Sequence, residues 1–394
     1  MQIEQIQAAI AELGLDGWLF FDFRGSDPLA YSVLGLKQGH RSRRWFYYVP
    51  ATGHPTRIVH AIETGALDGL PGRLQVYLPW QQMHEHLKKT LQGARHVAMQ
   101  YSPLNNIPYV GRVDAGTVEL VRSFGVDVVS SADLVSRFEA TLNDLQLRSH
   151  LTAAGLLDGL IQETFGEVAR RLVTKTVSTE YDIQQYMVKR FEELGLEADH
   201  PPIVAVDAHS ADPHYAPSAN DSTVLRPQQF LLIDAWCKLK GSENVYADFT
   251  WTAYLGNAVP TQYHEIFEIV AAGRDAAVKY IADTLRDGQP LRGCDVDDVC
   301  RNEIRKAGYG DQFIHRTGHS LHRSVHGNGA NLDNLESRDE RLLAPRTLCT
   351  IEPGVYLPGQ FGVRSEINLF ITEKRQPHIT SPTVQSGVLA IPCL

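Results

Sequence analysis

Cysteine is scarce and poorly placed for pairing. Cys237, Cys294, Cys300, Cys349 and Cys393 are odd in number and none forms a CxxC pair. That argues against a disulfide framework or a cysteine zinc site and fits a reducing compartment. Long apolar runs are missing too. No stretch approaches the ~18 apolar residues that a membrane span needs, so no membrane partner is expected. The opening "MQIEQIQAAIAELGLDGWLFF" sets Ile3, Ile6, Ile10 and Leu13 at helical spacing with Glu4 and Glu12 between them. This reads as an amphipathic helix running into a strand rather than a signal peptide, and the expectation is a soluble, cytoplasmic protein. Positive charge is also in deficit, with 37 Lys and Arg against 46 Asp and Glu, a net −9. The one basic cluster, "RSRR" at Arg41 to Arg44, is too brief for a nucleic-acid footprint, and no such partner is expected.

What the chain has is length and apolar content: 394 residues, 43% of them hydrophobic, suffice for two packed cores. Over residues 1–140, short apolar runs ("GWLFFDF", "WFYYV", "RHVAMQY") alternate with helical stretches such as "QQMHEHLKKTLQG", which predicts an α/β domain. From about 141 the pattern becomes long helix, with Leu157, Ile161, Phe165, Val168 and Leu172 on one stripe. A second helix in "STEYDIQQYMVKRFEELG" has capping-box spacing at Thr179 and Asp182 and a stop at Gly195. The strands "QFLLIDAWCKL", "VYADFTWTAYL", "RTLCTIE" and "FGVRSEINLFIT" complete an α+β second domain, 141–394, whose helices cover an antiparallel sheet. No repeat or low-complexity tract stands out.

Four acidic residues sit where a strand would be apolar. Asp234 ends "FLLID" and Asp248 interrupts "VYADFTWT"; the "KGSEN" between them reads as a hairpin turn centred on Gly241, which would set the two aspartates opposite one another. Glu352 closes "LCTIE", and Glu366 lies in "GVRSEINLFI", where Arg364, Glu366 and Asn368 share a face. A strand carboxylate is ordinarily solvent-facing or paired with arginine, and Arg364 has a plain reading as a salt bridge to Glu366. Four such residues together would repel one another unless a cation lay between them, and hard oxygen donors with an imidazole suit a pair of divalent ions.

The segment "HRTGHSLHRSVHGNG" adds His315, His319, His322 and His326. His315 and His319 have the i, i+4 spacing of a helical zinc site, but Arg316 stands where H-E-x-x-H needs glutamate, and Thr317 and Gly318 are poor helix formers. The order Asp234, Asp248, His319, Glu352, Glu366 instead resembles the five-ligand set of the pita-bread metallopeptidases: methionine aminopeptidase, Xaa-Pro aminopeptidase (aminopeptidase P) and Xaa-Pro dipeptidase (prolidase). The motifs "DPHYAPS", "HRTGHS", "IEPGVY" and "GVRSE" carry the likeness over residues 140–394, and the preceding α/β domain is similar to the creatinase-type domain of the proline-specific members.

The resemblance implies two divalent metal ions, manganese before zinc or cobalt, with Asp234 on one, Asp248 and Glu366 bridging, and His319 and Glu352 completing the other site. It makes Glu352 a proton acceptor, gives His214 and His326 contacts to substrate and oxyanion, and makes His315 a site histidine of Xaa-Pro members. Arg364 would orient the site. His322 matches nothing and is expected to be structural or at the surface. Departures are the long spacing between Asp234 and Asp248, "GHSLH" in place of a glycine-richer run, no acidic residue after His326, and Ile367-Asn368 after Glu366. The implied activity is cleavage of the Xaa-Pro bond at the N-terminus of short peptides by a homodimer. Xaa-Pro dipeptides are favoured because His322 and Arg323 would make the field near the metal more positive and attract a free carboxylate. The alternatives are an aminopeptidase P, a methionine aminopeptidase-like enzyme, and a metal-free creatinase-like hydrolase or binding protein.

Overall fold

The computed structural model describes residues 3–37 and 39–392; Cys393, counted above, lies outside them. The chain divides into two compact units, the first ending at Glu139 and the second beginning at Ala140.

The first unit is built on a six-stranded sheet in the order Arg73–Tyr77, Thr56–His60, Trp45–Pro50, Gly17–Asp22, His96–Met99, Asp127–Ser130, parallel except where Trp45–Pro50 meets its two neighbours. The run Trp18-Leu19-Phe20-Phe21 is unbroken because both faces are covered. Trp18 and Phe20 pack with Ile6 and Ile10 of helix Ile3–Glu12, while Leu19 and Phe21 pack with Met83 and Leu87 of helix Trp80–Thr90.

The second unit is α+β. Its main sheet runs Leu389–Ala390, Ala247–Tyr254, Phe230–Leu239 and Leu196–Glu197, with Ile203–Val206 also on Phe230–Leu239. The pairings are antiparallel except at Leu389–Ala390, which is parallel to its neighbour. A three-stranded sheet (Leu348–Ile351, Ile367–Ile371, Pro377–Ile379) and a ribbon (Gly354–Leu357 with Phe361–Arg364) complete it. Helices Asp144–Val173 and Glu180–Glu193 cover one side of the main sheet through Leu157, Ile161 and Met187. Helices Thr261–Arg286 and Gly293–Lys306 bury Phe267, Val270 and Cys300 against Ile351, Val363 and Leu369. The capping box at Thr179 and Asp182 is formed, and Gly195 takes φ 70° just past the helix end.

Two expectations are corrected. Asp234 faces Thr250 across the hairpin and Asp248 faces Trp236, so the aspartates are diagonal neighbours rather than opposite. The register is slid by two residues, which preserves the face because side chains alternate with period two. "FGVRSEINLFI" is not one strand either: it breaks at Ser365-Glu366, where the chain passes from the ribbon to the three-stranded sheet.

Candidate metal centre

Each site residue stands on an apolar strand or a loop tied to one. Alternation along Ala247–Tyr254 sends Asp248 and Thr250 to one face, and Thr250 Oγ1 donates to Glu366 Oε2 at 2.7 Å. Asn368 uses both ends of its amide on the Asp248 backbone, accepting from Asp248 N (3.1 Å) and donating to Asp248 O (2.7 Å). Thr350, two residues before Glu352, accepts from His319 N at 2.9 Å and donates to Glu352 Oε1 at 3.0 Å. Gly318 lets the histidine segment lie against strand Leu348–Ile351: a Cβ there would fall 2.1 Å from the Thr350 carbonyl oxygen.

The result is a buried charge problem. Asp248, His319 and Glu366 each offer one donor atom, and these three atoms lie within 4.8 Å of one another. His319 Nε2 is 3.3 Å from Glu352 Oε1 and 3.6 Å from Asp248 Oδ2. Burial, followed by repulsion from Asp234 and Glu352, pushes Asp248 well above the carboxylate range. Burial and then Asp248 do the same to Glu366, and burial moves Glu352 up to about 7. Burial drives His319 well below its ordinary value, toward the neutral form. Its Nδ1 faces the Ser320 carbonyl at 3.3 Å, so the N–H sits there and the Nε2 lone pair points at two carboxylate oxygens.

With the carboxylates ionised, that is acceptor against acceptor, and a cation placed between them resolves it. Asp234 Oδ1 is likewise buried with no hydrogen-bond partner, although Arg364 pairs with Oδ2. The donor set therefore fits hard divalent metal ions.

The pattern that defines metallopeptidase family M24 matches residues 151–373. The chain belongs to metallopeptidase family M24. An M24 metallopeptidase is an enzyme that acts on peptides with divalent metal ions, which is the chemistry the donor set fits. Among relatives of this M24 chain is an uncharacterized peptidase of Staphylococcus saprophyticus subsp. saprophyticus, 28% identical over 267 residues that span 66% of this chain and 69% of that protein. Among solved structures, the dipeptidase PepE of Mycobacterium ulcerans is similar over 99% of this chain and 97% of its own, with TM-score 0.68 at 20% identity. A prolidase of Thermococcus sibiricus is similar over 98% of each chain, with TM-score 0.62 at 21% identity. At these identities the structural likenesses show the fold.

The remaining expected residues of the M24 site are placed as follows. His326 stacks edge-on against His319 with ring centroids 4.4 Å apart and keeps an exposed flank. His214 is exposed on the loop after the turn Asp207–Ala211, close enough to His326 for the two imidazoles to repel when protonated. His315 Nδ1 donates to the Arg316 carbonyl (2.8 Å), so its Nε2 accepts from the Tyr356 hydroxyl (2.7 Å), which in turn accepts from Arg364 Nη1 (2.9 Å). Burial, then the Arg364 charge, keeps His315 neutral, down at about 3. Arg364 also donates Nε to Thr250 Oγ1 at 2.9 Å. Its carboxylate partner is Asp234, not the Glu366 of the plain salt-bridge reading, because the break at Ser365 turns Glu366 toward Thr250.

The expected positive field from His322 and Arg323 is also corrected. His322 is buried at 6% exposure and neutral, desolvation pushing it down to about 4, and Arg323 is paired with Glu243 at 3.6 Å. Arg316 is the charge felt most at His326, and it adds to Arg364 at Glu352 and to His326 at His319. Tyr356, Thr250 and Thr350 were not anticipated as site residues. Period-two spacing from a ligand strand position, Asp248 to Thr250 and Thr350 to Glu352, is the signal that would have found two of them. Among the described residues, Cys237, Cys294, Cys300 and Cys349 are free and buried, and no helix is long and apolar enough to cross a membrane.

Proposed function

We propose that this M24 enzyme hydrolyses the Xaa-Pro bond at the N-terminus of short peptides, with two divalent cations, manganese first, held by Asp234, Asp248, His319, Glu352 and Glu366, in a homodimer. The observation that carries the reading is the buried cluster in which the Nε2 lone pair of His319 faces Asp248 and Glu352, with a donor atom of Glu366 within 4.8 Å. Bound there, such ions supply polarisation of the scissile carbonyl and a water acidic enough to act as nucleophile near neutral pH.

The chain's own residues do the rest. Glu352, beside His319 Nε2 and hydrogen-bonded to Thr350, is placed to take a proton from the water and to return it. His326 and His214, on the open side of His319, would donate to the developing oxyanion and to the leaving nitrogen. Arg364, clamped by Tyr356 and Thr250, holds Asp234 in place. A dipeptide adds a free carboxylate that must be met, and Arg316, whose charge already reaches Glu352 and His326, is the residue suited to meet it. The names of the structurally similar dipeptidase and prolidase agree with a preference for dipeptides.

The test is a panel of Xaa-Pro dipeptides and matching Xaa-Pro-Yaa tripeptides, with and without added manganese. The expected result is metal-dependent release of the first residue, with kcat/KM higher for the dipeptide. Higher kcat/KM for the tripeptide would make the enzyme an aminopeptidase P.

A second expected outcome separates two histidines. His326→Ala should lower kcat by ~10²-fold with metal content retained, as for a lost donor to the transition state. His322→Ala should leave kcat nearly unchanged and cost on the order of 1–2 kcal/mol of stability, because a buried ring is lost. Steady-state kinetics and denaturant unfolding read both; the opposite pattern would mean that the loop is misassigned.

A further inference from the structure

The wall beside the carboxylate cluster contains a loop that the mechanism leaves unused. Strand Phe230–Leu239 pairs with Leu196–Glu197 up to Glu197↔Lys238 and with Ile203–Val206 from Ile203↔Asp234. Residues 198–202 thus span the gap opposite residues 235–237 and must bulge. Asp199 lies in this bulge, and its Oδ1 accepts from Trp236 Nε1 at 2.8 Å and from the His200 amide at 3.0 Å.

Trp236 is no bystander to the site. It is the direct cross-strand partner of Asp248 and lies two residues from Asp234, so it shares their face. Its ring packs into the cluster of Leu321 and Val325 that seats the histidine segment. The Asp199 charge reaches both Asp248 and His326. Its second oxygen, Oδ2, has His200 Nδ1 at 3.6 Å, beyond hydrogen-bond distance, and the carboxylate is 44% exposed.

The other charges on this wall are matched. Lys238 sits 3.4 Å from Glu197 and donates to the Arg323 carbonyl, and Arg323 is paired with Glu243. Asp199 Oδ2 is therefore an exposed acceptor on the wall that Trp236 shares with Asp248.

Resting on the Xaa-Pro reading for the nature of the substrate, we infer that Asp199, positioned by the indole N–H of Trp236, is a specificity residue that binds an ammonium or guanidinium group of the peptide's first residue. The group comes either from the α-ammonium or from a lysine or arginine side chain. A charged hydrogen bond at a half-exposed site is worth roughly tenfold in affinity. Asparagine keeps the shape and the indole contact while removing the charge.

The experiment uses metal-loaded full-length protein and two ligand pairs that differ in one charge: Ala-Pro against propionyl-Pro for the α-ammonium, and Lys-Pro against norleucyl-Pro for the side chain. Both kcat/KM and calorimetric affinity are measured. The wild type should favour the charged member of one pair, and Asp199→Asn should cut that preference about tenfold. Trp236→Phe, which keeps the ring and loses the N–H, should cut it by a smaller factor with metal content unchanged, which a merely structural role would not do. The pair that moves identifies the source of the cation. Equal binding of both members of both pairs by the wild type, or ratios unmoved in Asp199→Asn, overturns the inference. A wild type that binds a charged member selectively through Asp199 but hydrolyses none of the four would instead sink the Xaa-Pro reading and leave the Asp199 assignment standing.

Discussion

Replacing Asp248 or His319 with alanine should reduce turnover by ~10³-fold or more while the protein stays folded. Loss of a metal ligand removes several kcal/mol of transition-state stabilisation, and each 1.36 kcal/mol is a factor of ten in rate. Elemental analysis should find close to two ions per chain in the metal-loaded wild type and fewer in either variant. The stability of the metal-free forms gives an independent reading. Without a cation, Asp248 is one of several like charges buried together, and its carboxyl is held in an unfavourable state by burial and by Asp234 and Glu352. Metal-free Asp248→Ala should therefore be no less stable than the metal-free wild type. Added manganese should stabilise the wild type, because it binds the folded state, and should stabilise the variant much less. Full activity in either variant would refute the ligand assignment; a metal-free Asp248→Ala that unfolds several kcal/mol more easily would refute the argument from buried repulsion.

The site was legible in the sequence because its evidence is of a kind that survives errors in register. Asp234 and Asp248 were expected opposite one another and are diagonal, yet the two-residue slide keeps both on the same face. A one-residue slide would have put Asp248 on the wrong side, and nothing in "KGSEN" fixes which slide occurs. The break at Ser365 was not legible for a related reason: "GVRSEINLFI" alternates acceptably as one strand, and only packing against both the ribbon and the three-stranded sheet splits it. The split decides the partner of Arg364, so its pairing with Asp234 could not be read from spacing. The fate of His322 depends on Leu321 and Val325, which sink into a small apolar cluster with Tyr246 and Phe370 and carry the intervening chain inward. Charge counting took His322 and Arg323 to make the field near the metal more positive, whereas burial neutralises one and Glu243 pairs with the other.

Arg364 offers the second large effect, on stability rather than rate. Its guanidinium, 3% exposed, donates to Asp234, to the Tyr356 hydroxyl and to Thr250 Oγ1. Arg364→Met keeps much of the volume and removes the charge, leaving Asp234 buried beside other carboxylates with no cation and Tyr356 and Thr250 short of a donor. Breaking a buried pair from one side costs about 3–5 kcal/mol, mostly as the penalty on the charge left behind. Denaturant unfolding of the metal-free variant should show a loss of that size. Arg364→Lys should recover only part, since an ammonium cannot reach three acceptors as the planar fork does. Two rescues follow from the same cause. Asp234→Asn in the Arg364→Met background should return a large share of the loss, a coupling that a double-mutant cycle measures directly. Manganese should return a share as well, because an ion at Asp234 replaces the missing positive charge. A metal-free Arg364→Met within about 1 kcal/mol of wild type, or additive costs in the double variant, would mean that Asp234 does not depend on Arg364 for its charge balance.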